Sequence, residues 1–293
     1  MLLSANAGAA EHDWPAAARS EDEEARISVS LSNRAGLVEA PFVTAAFPEV
    51  SGFSSVLIAG AGLRTASVDW VRLRLPVSFA RLDFPAKAQV SETALGNIEL
   101  GVEHRLELRP STRVGLVGAI VAPSAENGSM AALLDNRALA LGNALNGGVD
   151  AALLTPGVTG LRLAAALEHW RYPLGFRARL ALPLLLRVSD AHLPPETQTH
   201  PLGLLPSLDL RAAWWATSWL AVWLGVGIAS DLVRVQEPFR DRDRQRRFQP
   251  LVEPGLHFRV GRYVTLGLDG SVPLGGSLGG KSFGVGVFGS LEL

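Results

Sequence analysis

Three features of this 293-residue chain predict an all-β fold, an antiparallel up-and-down transmembrane β-barrel of about twelve strands. Apolar and polar residues alternate in at least ten segments, the chain ends on such a segment, and short connections alternate with long ones. Successive side chains on a strand point to opposite faces, so each segment has one oily and one wet side. Repeated this often, the pattern is that of a barrel with lipid outside and a polar lumen inside.

The final segment carries the pattern most clearly. Phe283, Val285, Val287, Gly289, Leu291 and Leu293 share one face, and Ser282, Gly284, Gly286, Phe288, Ser290 and Glu292 share the other, which is polar or small except at Phe288. Earlier segments repeat it. In 97–108, Ile98, Leu100 and Val102 oppose Glu99, Glu103, Arg105 and Glu107. In 176–188, Phe176, Ala178, Leu180, Leu182, Leu184, Leu186 and Val188 oppose Arg177, Arg179 and Arg187. In 206–216, Leu208, Leu210, Ala212 and Trp214 oppose Ser207, Asp209 and Arg211; in 219–231, Leu220, Val222, Leu224, Val226 and Ile228 oppose Trp219, Trp223 and Asp231. In 263–274, Val264, Leu266, Leu268 and Val272 oppose Thr265, Asp269 and Ser271. Soluble sandwiches also alternate, but their strands usually run to about five or six residues.

Short turns fall near 64–66, 110–112, 172–175, 217–218 and 261–262, and long connections near 46–53, 82–94, 124–158, 189–202, 232–247 and 275–281. Five short and six long connections join twelve strands and bring both ends of the barrel segment to one side. Bacterial barrels keep their short turns periplasmic, so the expectation is an outer-membrane barrel over 26–293 with both termini in the periplasm. The first strand is either 26–33 or roughly 36–45. Residues 1–25 read as a signal-peptide remnant or a loose acidic periplasmic tail, with small residues at the start but no basic opening and no long apolar stretch. In 124–158, Met130, Leu133, Leu134, Ala138 and Leu141 recur at helical spacing behind Ser129, a candidate cap. The alternatives are an irregular loop folding into the mouth and an extension of the next strand by 147–154.

Composition excludes several classes. No cysteine is present, so disulfides and thiolate–metal chemistry are out. No apolar run reaches the ~18 residues of a membrane helix. A formal net charge of −1 carries no nucleic-acid footprint. Lys occurs only at Lys87 and Lys281, so the cationic chemistry is that of arginine.

The wet faces collect a charge network: Arg72, Arg74, Glu99, Glu103, Arg105, Glu107, Arg162, Glu168, Arg177, Arg179, Asp209, Arg211, His257 and Arg259, with Arg113, Arg187 and Glu253 alongside. Arginine pairs carboxylates in bidentate fashion, and buried charges need such partners. The network reads either as an ion-pair scaffold filling a narrow barrel or as a conduit favouring anionic or polar groups.

Other constellations are weaker. Asp190, His192, Glu196 and His200 offer metal-type ligands, but irregularly spaced around two prolines. The arginine-rich stretch 234–247 suits either a solvated mixed-charge loop or a contact with lipopolysaccharide phosphates. Residues 284–289 spell G-x-G-x-x-G, but inside the last strand and with no helix after it, so dinucleotide binding is not implied. Residues 275–279 spell G-x-S-x-G without the strand-to-helix elbow that a nucleophile needs. His104 and His169 lie on the lipid-facing register or near its ends, which leaves His257 beside Glu253 as the one plausible base, with no reason to pair it with Ser277. Trp70, Trp170, Tyr172, Trp214, Trp215, Trp219, Phe258 and Tyr263 cluster near strand ends, as an interfacial girdle would.

Residues 73–123 carry a family resemblance. Leu75-Pro-Val-Ser-Phe79, the stretch from Glu92 through Gly96-Asn97-Ile98-Glu99-Leu100-Gly101 to Leu106, and Val117-Gly-Ala-Ile-Val-Ala-Pro123 resemble the bacterial outer-membrane barrel family of the MetA-pathway of phenol degradation, also called simply transporter. Asn97 stands where that family usually has Asp, His104 where Tyr is common, and Ala122-Pro123-Ser124 in place of P-T-G. The resemblance implies movement of small hydrophobic compounds and carries no catalytic residues. The resulting expectation is a monomeric outer-membrane channel or passive transporter without cofactor. Its expected partners are outer-membrane lipid, lipopolysaccharide and the barrel-assembly machinery. The alternatives are a plugged barrel serving structure or an unknown protein partner, and an outer-membrane lipid hydrolase.

Overall fold

The computed structural model describes residues 26–40, 50–65, 69–83, 89–125, 139, 141–142, 145, 150–188, 200–230, 232, 248–261, 263–275 and 282–293. Strands are β1 (Ile27–Ala40), β2 (Val50–Leu63), β3 (Trp70–Asp83), β4 (Gln89–Leu95), β5 (Ile98–Arg109), β6 (Thr112–Ala122), β7 (Val158–Arg171), β8 (Leu174–Arg187), β9 (Leu202–Leu204), β10 (Ser207–Trp215), β11 (Leu220–Ser230), β12 (Phe248–Val260), β13 (Val264–Pro273) and β14 (Ser282–Glu292). One buried helical turn, α1 (Ala151–Leu154), precedes β7.

All pairings are antiparallel between sequence neighbours, and β14 pairs β1 from Ser28↔Glu292 to Val38↔Ser282, which closes the sheet. β4 and β5 both pair β3, and β9 and β10 both pair β8, so each couple is one interrupted stave. Fourteen strands therefore make a closed barrel of twelve staves. One interruption falls before Pro206, which has no N–H to give a ladder. The other is a bulge. Between the pairs Val77↔Leu95 and Arg74↔Glu99, β3 spends two residues where its partner spends three. The extra residue turns both Gly96 and Asn97 inward and buries them.

The alternation sorts side chains as the sequence requires. Phe283, Val285, Val287 and Leu291 are exposed, while Ser282, Phe288, Ser290 and Glu292 are buried. On β8, Phe176, Leu180, Leu182, Leu184 and Leu186 face out, and Arg177 and Arg179 face in. Such an apolar exterior, continuous round a closed sheet, is the surface of a protein that spans a membrane with strands.

Several expectations are corrected. The first candidate strand and the start of the second are one strand, Ile27–Ala40, whose inward set Ser28, Ser30, Ser32 and Arg34 runs on to Gly36; residues 41–45 of the second lie outside the described residues. The connection expected over 82–94 contains β4, and the one over 46–53 contains the start of β2. Residues 151–154 do not extend β7; they form α1, buried inside the barrel. Leu139, Leu141, Gly142 and Leu145 are helical; of the residues expected to form a helix here, Ser129, Met130, Leu133, Leu134 and Ala138 lie outside the described residues. The girdle also divides. Tyr172, Trp214, Trp219 and Tyr263 are exposed at the turn end, but Trp70 and Trp215 are buried inside. Trp219, expected on the wet face with Trp223, belongs to the outer set because it lies in the turn before β11. At the loop end Phe53, Phe248 and Phe283 are exposed, and Phe53 packs near Phe79 at 6.5 Å between ring centroids.

Two outcomes follow from this face assignment. Leu182→Arg places a charge mid-strand on the lipid face and should cost ~2–4 kcal/mol, read as a lowered urea midpoint in bilayers. Removing residues 289–293 shortens the seam with β1 and should abolish insertion, because unpaired edges are not tolerated in lipid. Loss of heat-modifiable migration on gels would report that failure.

Candidate functional site: the barrel interior

The inward face is filled in two ways, and the chain's alternation places both. Toward the turn end the staves contribute charges. Arg72 on β3 donates from Nε to Glu103 Oε2 on β5 at 2.9 Å, and Arg105 donates from Nε to Glu103 Oε1 at 2.7 Å. Arg177 on β8 lies 3.6 Å from Glu168 on β7. Along the β10–β1 wall, Arg211 on β10 reaches Asp209 on the same strand at 3.0 Å and Glu253 on β12 at 3.1 Å, and Arg34 on β1 joins Glu253 (3.0 Å) to Asp269 on β13 (2.8 Å). Arg179 stands directly opposite Asp209 in the β8–β10 register.

A second set ties three staves to the long connection. Arg162 on β7 grips Glu99 with two bonds, Nε to Oε2 at 2.7 Å and Nη2 to Oε1 at 2.5 Å. Arg74 shares Glu99 at 3.4 Å and bonds Asp150, just before α1, at 2.8 Å. All four groups are at least nineteen-twentieths buried. Charges this deep are tolerated because each faces an opposite charge and shares hydrogen bonds with it.

The loop end of the bore is apolar. Leu139, Leu141, Leu145, Leu153 and Leu154 are almost wholly buried, as are the inward Val56 and Ile58 of β2. Ala152 packs with Val121, Val158 and Leu185 of β6, β7 and β8. Asn97 fastens this segment. Its Nδ2 donates to Ala152 O (3.0 Å) and Thr155 O (2.6 Å), its Oδ1 accepts from Ala125 N (3.1 Å), and its backbone N donates to Leu153 O (2.7 Å). On the far wall Ser271 Oγ of β13 donates to Leu145 O, and a Cβ at Gly36 or Gly284 would press on Leu145 Cδ1. The described residues of this segment, 139, 141–142, 145 and 150–154, thus touch both the β3–β5 wall and the β13–β14–β1 wall and together form a septum.

Aromatic rings and arginines share the rest. Arg72 lies over Trp70 at 5.1 Å, Arg113 over Trp170 at 5.1 Å and Arg211 over Trp223 at 4.6 Å, within cation–π range. Trp223 lies flat across its cross-strand partner Gly255, and Phe288 across Gly267; a Cβ at either glycine would strike the ring. Glycine on the wet face therefore makes room for an inward ring.

Of the residues singled out in the sequence, Arg72, Arg74, Glu99, Glu103, Arg162, Glu168, Arg177, Arg179, Arg211 and His257 are buried on the inner face, and Arg105, Asp209 and Arg259 are partly exposed there. Glu107 is corrected. It is the last residue in register before the irregularity at the end of β5, is exposed, and pairs with Arg113 at the rim, where water screens it. His257 packs edge-on to Trp215 at 5.7 Å and near Phe288 at 6.1 Å. The loop 189–199, most of 231–247 and Ser277 lie outside the described residues; among the described residues no cluster of His, Asp and Glu is suited to a metal. Sequence reasoning missed Arg34, Asp150 and Asn97. Arg34 was legible in principle, since it continues the inward series of β1. Asp150 and Asn97 were not, because their partners are distant in the chain.

The Glu99 knot gives a direct check. Glu99→Gln leaves Arg74 and Arg162 facing a neutral group and should cost ~3–5 kcal/mol, as breaking a buried pair does. Glu107→Gln, at the exposed rim, should cost less than ~1 kcal/mol. Equal losses in urea unfolding would contradict this division between interior and rim.

No family model and no curated protein matches the chain. Solved structures do. An outer membrane channel from Pseudomonas putida F1 superposes with a TM-score of 0.63 at 12% identity, over 94% of this chain and all of that one. The β domain of the Bordetella autotransporter Brka gives 0.50 at 10% identity, over 92% of this chain and all of that one. At such identities the likeness shows the fold alone, and that fold is a closed twelve-stranded antiparallel barrel of the kind found in bacterial outer membranes.

Proposed function

We propose that the protein is an outer-membrane channel or passive transporter for small molecules, with both termini in the periplasm. The observation that carries this reading is a bore lined by ion-paired arginines and carboxylates inside an apolar exterior. A polar lining beneath a lipid-facing shell is the arrangement of a conduit. The alternation of short turns and long connections supports the orientation, because bacterial barrels keep short turns on the periplasmic side. The channel from Pseudomonas putida supports the reading at the level of fold. Arginine-lined walls suit anionic or polar groups on the solute, and the family resemblance adds small hydrophobic compounds to the candidates.

The septum favours a second reading, a plugged barrel serving structure or a partner, because its leucines are packed as tightly as a soluble core. Hydrolase activity has less support. The near neighbours of His257 include two aromatic rings, Trp215 and Phe288.

Conductance in planar bilayers separates the two. Asn97→Asp removes both side-chain donors that hold Ala152 and Thr155, since a carboxylate only accepts. Asp150→Ala removes the anchor to Arg74. For a channel, either change should raise single-channel conductance severalfold, and Arg179→Ala should alter ion selectivity. No conductance in the wild type or in any of these variants would move the assignment to the plugged barrel.

A further inference from the structure

Water does not reach the arginines of the bore equally. Arg72, Arg74, Arg162, Arg177 and Arg211 each expose 6% of the side chain or less. Arg34 exposes 14%, although it lies seven residues from Ile27, about 23 Å along β1 from its turn end. Arg105 and Arg113 are comparably accessible, but both stand within five residues of the β5–β6 turn. Among the described ion pairs, Arg34 is thus the cation that water reaches deep in the bore.

Arg34 is also one end of a relay. Its Nη2 meets both Asp269 Oδ1 and Glu253 Oε1, Glu253 Oε2 meets Arg211 Nη2, and Arg211 Nε meets Asp209 Oδ1. Asp269, Glu253 and Arg211 are recessed, with at most 6% of their side chains exposed, but Asp209 exposes 14%. Asp209 lies six residues from Trp215 at the turn end of β10, a depth close to that of Arg34. The accessible ends of the relay are therefore one cation and one anion, five staves apart along the β10–β1 wall.

Both ends keep bonding capacity. Among the described residues Arg34 engages its carboxylates through Nη2, which leaves the Nε–Nη1 edge of the fork open. Asp209 Oδ1 accepts no hydrogen bond beyond its ion pair. There is room beside it. The neighbouring inward position on β11 is Gly227, where a Cβ would have no heavy atom nearer than 3.6 Å and Asp209 Oδ2 at 4.0 Å.

We propose that Arg34 and Asp209 are the two poles of a solute site for small zwitterions, molecules that carry a carboxylate and an ammonium group. This deepens the channel reading and rests on it. A guanidinium edge matches a carboxylate with two parallel bonds, and an aspartate oxygen accepts from an ammonium. A zwitterion gains at both poles, whereas a simple anion is repelled by Asp209 and a simple cation by Arg34. The recessed middle of the relay holds the poles apart.

The test uses liposome swelling and planar bilayers. Wild-type protein should admit γ-aminobutyrate at least fivefold faster than the uncharged polyol erythritol. Arg34→Gln and Asp209→Asn should each bring the two rates together. Under a KCl gradient the same variants should move the reversal potential in opposite senses, Arg34→Gln toward cations and Asp209→Asn toward anions. Should Arg34→Gln lose heat-modifiable migration, Arg34→Lys carries the test: it keeps the charge but not the fork, so the swelling preference should fall at an unchanged reversal potential. Equal entry of the two solutes with wild type, a preference that survives the variants, or reversal potentials that move in the same sense would overturn the site and leave the channel standing. Entry of neither solute would overturn both.

Discussion

Closure of the sheet is the constraint on which the rest of this molecule depends. In hydrocarbon an unpaired N–H or C=O has no water to turn to, so a lipid-facing sheet must bond its last strand to its first. β14 does this along its length, and the seam continues to the chain end. Arg26 N and Ile27 N donate to Leu293 O, and Leu293 N donates to Ile27 O. Closure with neighbouring antiparallel pairs forces an even number of staves, and both ends of the barrel segment then fall on one side. It also makes the exterior one continuous surface, so each stave must keep its phase. A slip of one residue would turn Arg177 and Arg179 to lipid and Leu180 and Leu182 to the bore.

Closing twelve staves leaves an interior too wide for side chains from the walls alone to fill, unlike an eight-stranded barrel. This chain fills it from both ends. The turn half uses arginine, whose planar fork reaches across staves to carboxylates and stacks on Trp70, Trp170 and Trp223. The loop half uses a folded-in segment with a small apolar core. Arg74 joins the halves, bonding Glu99 on the wall and Asp150 on the septum. Any movement of the septum therefore disturbs the ion-pair network below it.

The bulge at Gly96–Asn97 is the local device that makes this possible. A regular strand would send every second residue outward and leave one inward group there; the inserted residue gives two. Gly96 allows the close pass of the Leu153 carbonyl, where a Cβ would clash, and Asn97 uses both donors and its acceptor on the segment. An Asp at this position would supply no side-chain donor to Ala152 or Thr155.

By itself the sequence determined the fold class, the stave count and the facing of nearly every strand residue, because period-two alternation is written in adjacent positions. It placed the arginines and carboxylates on one wet face for the same reason. Only the tertiary structure decided which charges meet. Glu99 is gripped by residues 25 and 63 positions away, and Arg34 reaches Asp269 across 235. It alone put Leu139, Leu141, Leu145 and residues 150–154 into the bore, since helical spacing says which side of a helix is oily and not what that side will cover. It also turned Trp70 and Trp215 from the expected girdle to the interior, where arginine and histidine share the space. Alternation assigns a residue to a face, but closure and the long connection determine what fills the space on that face.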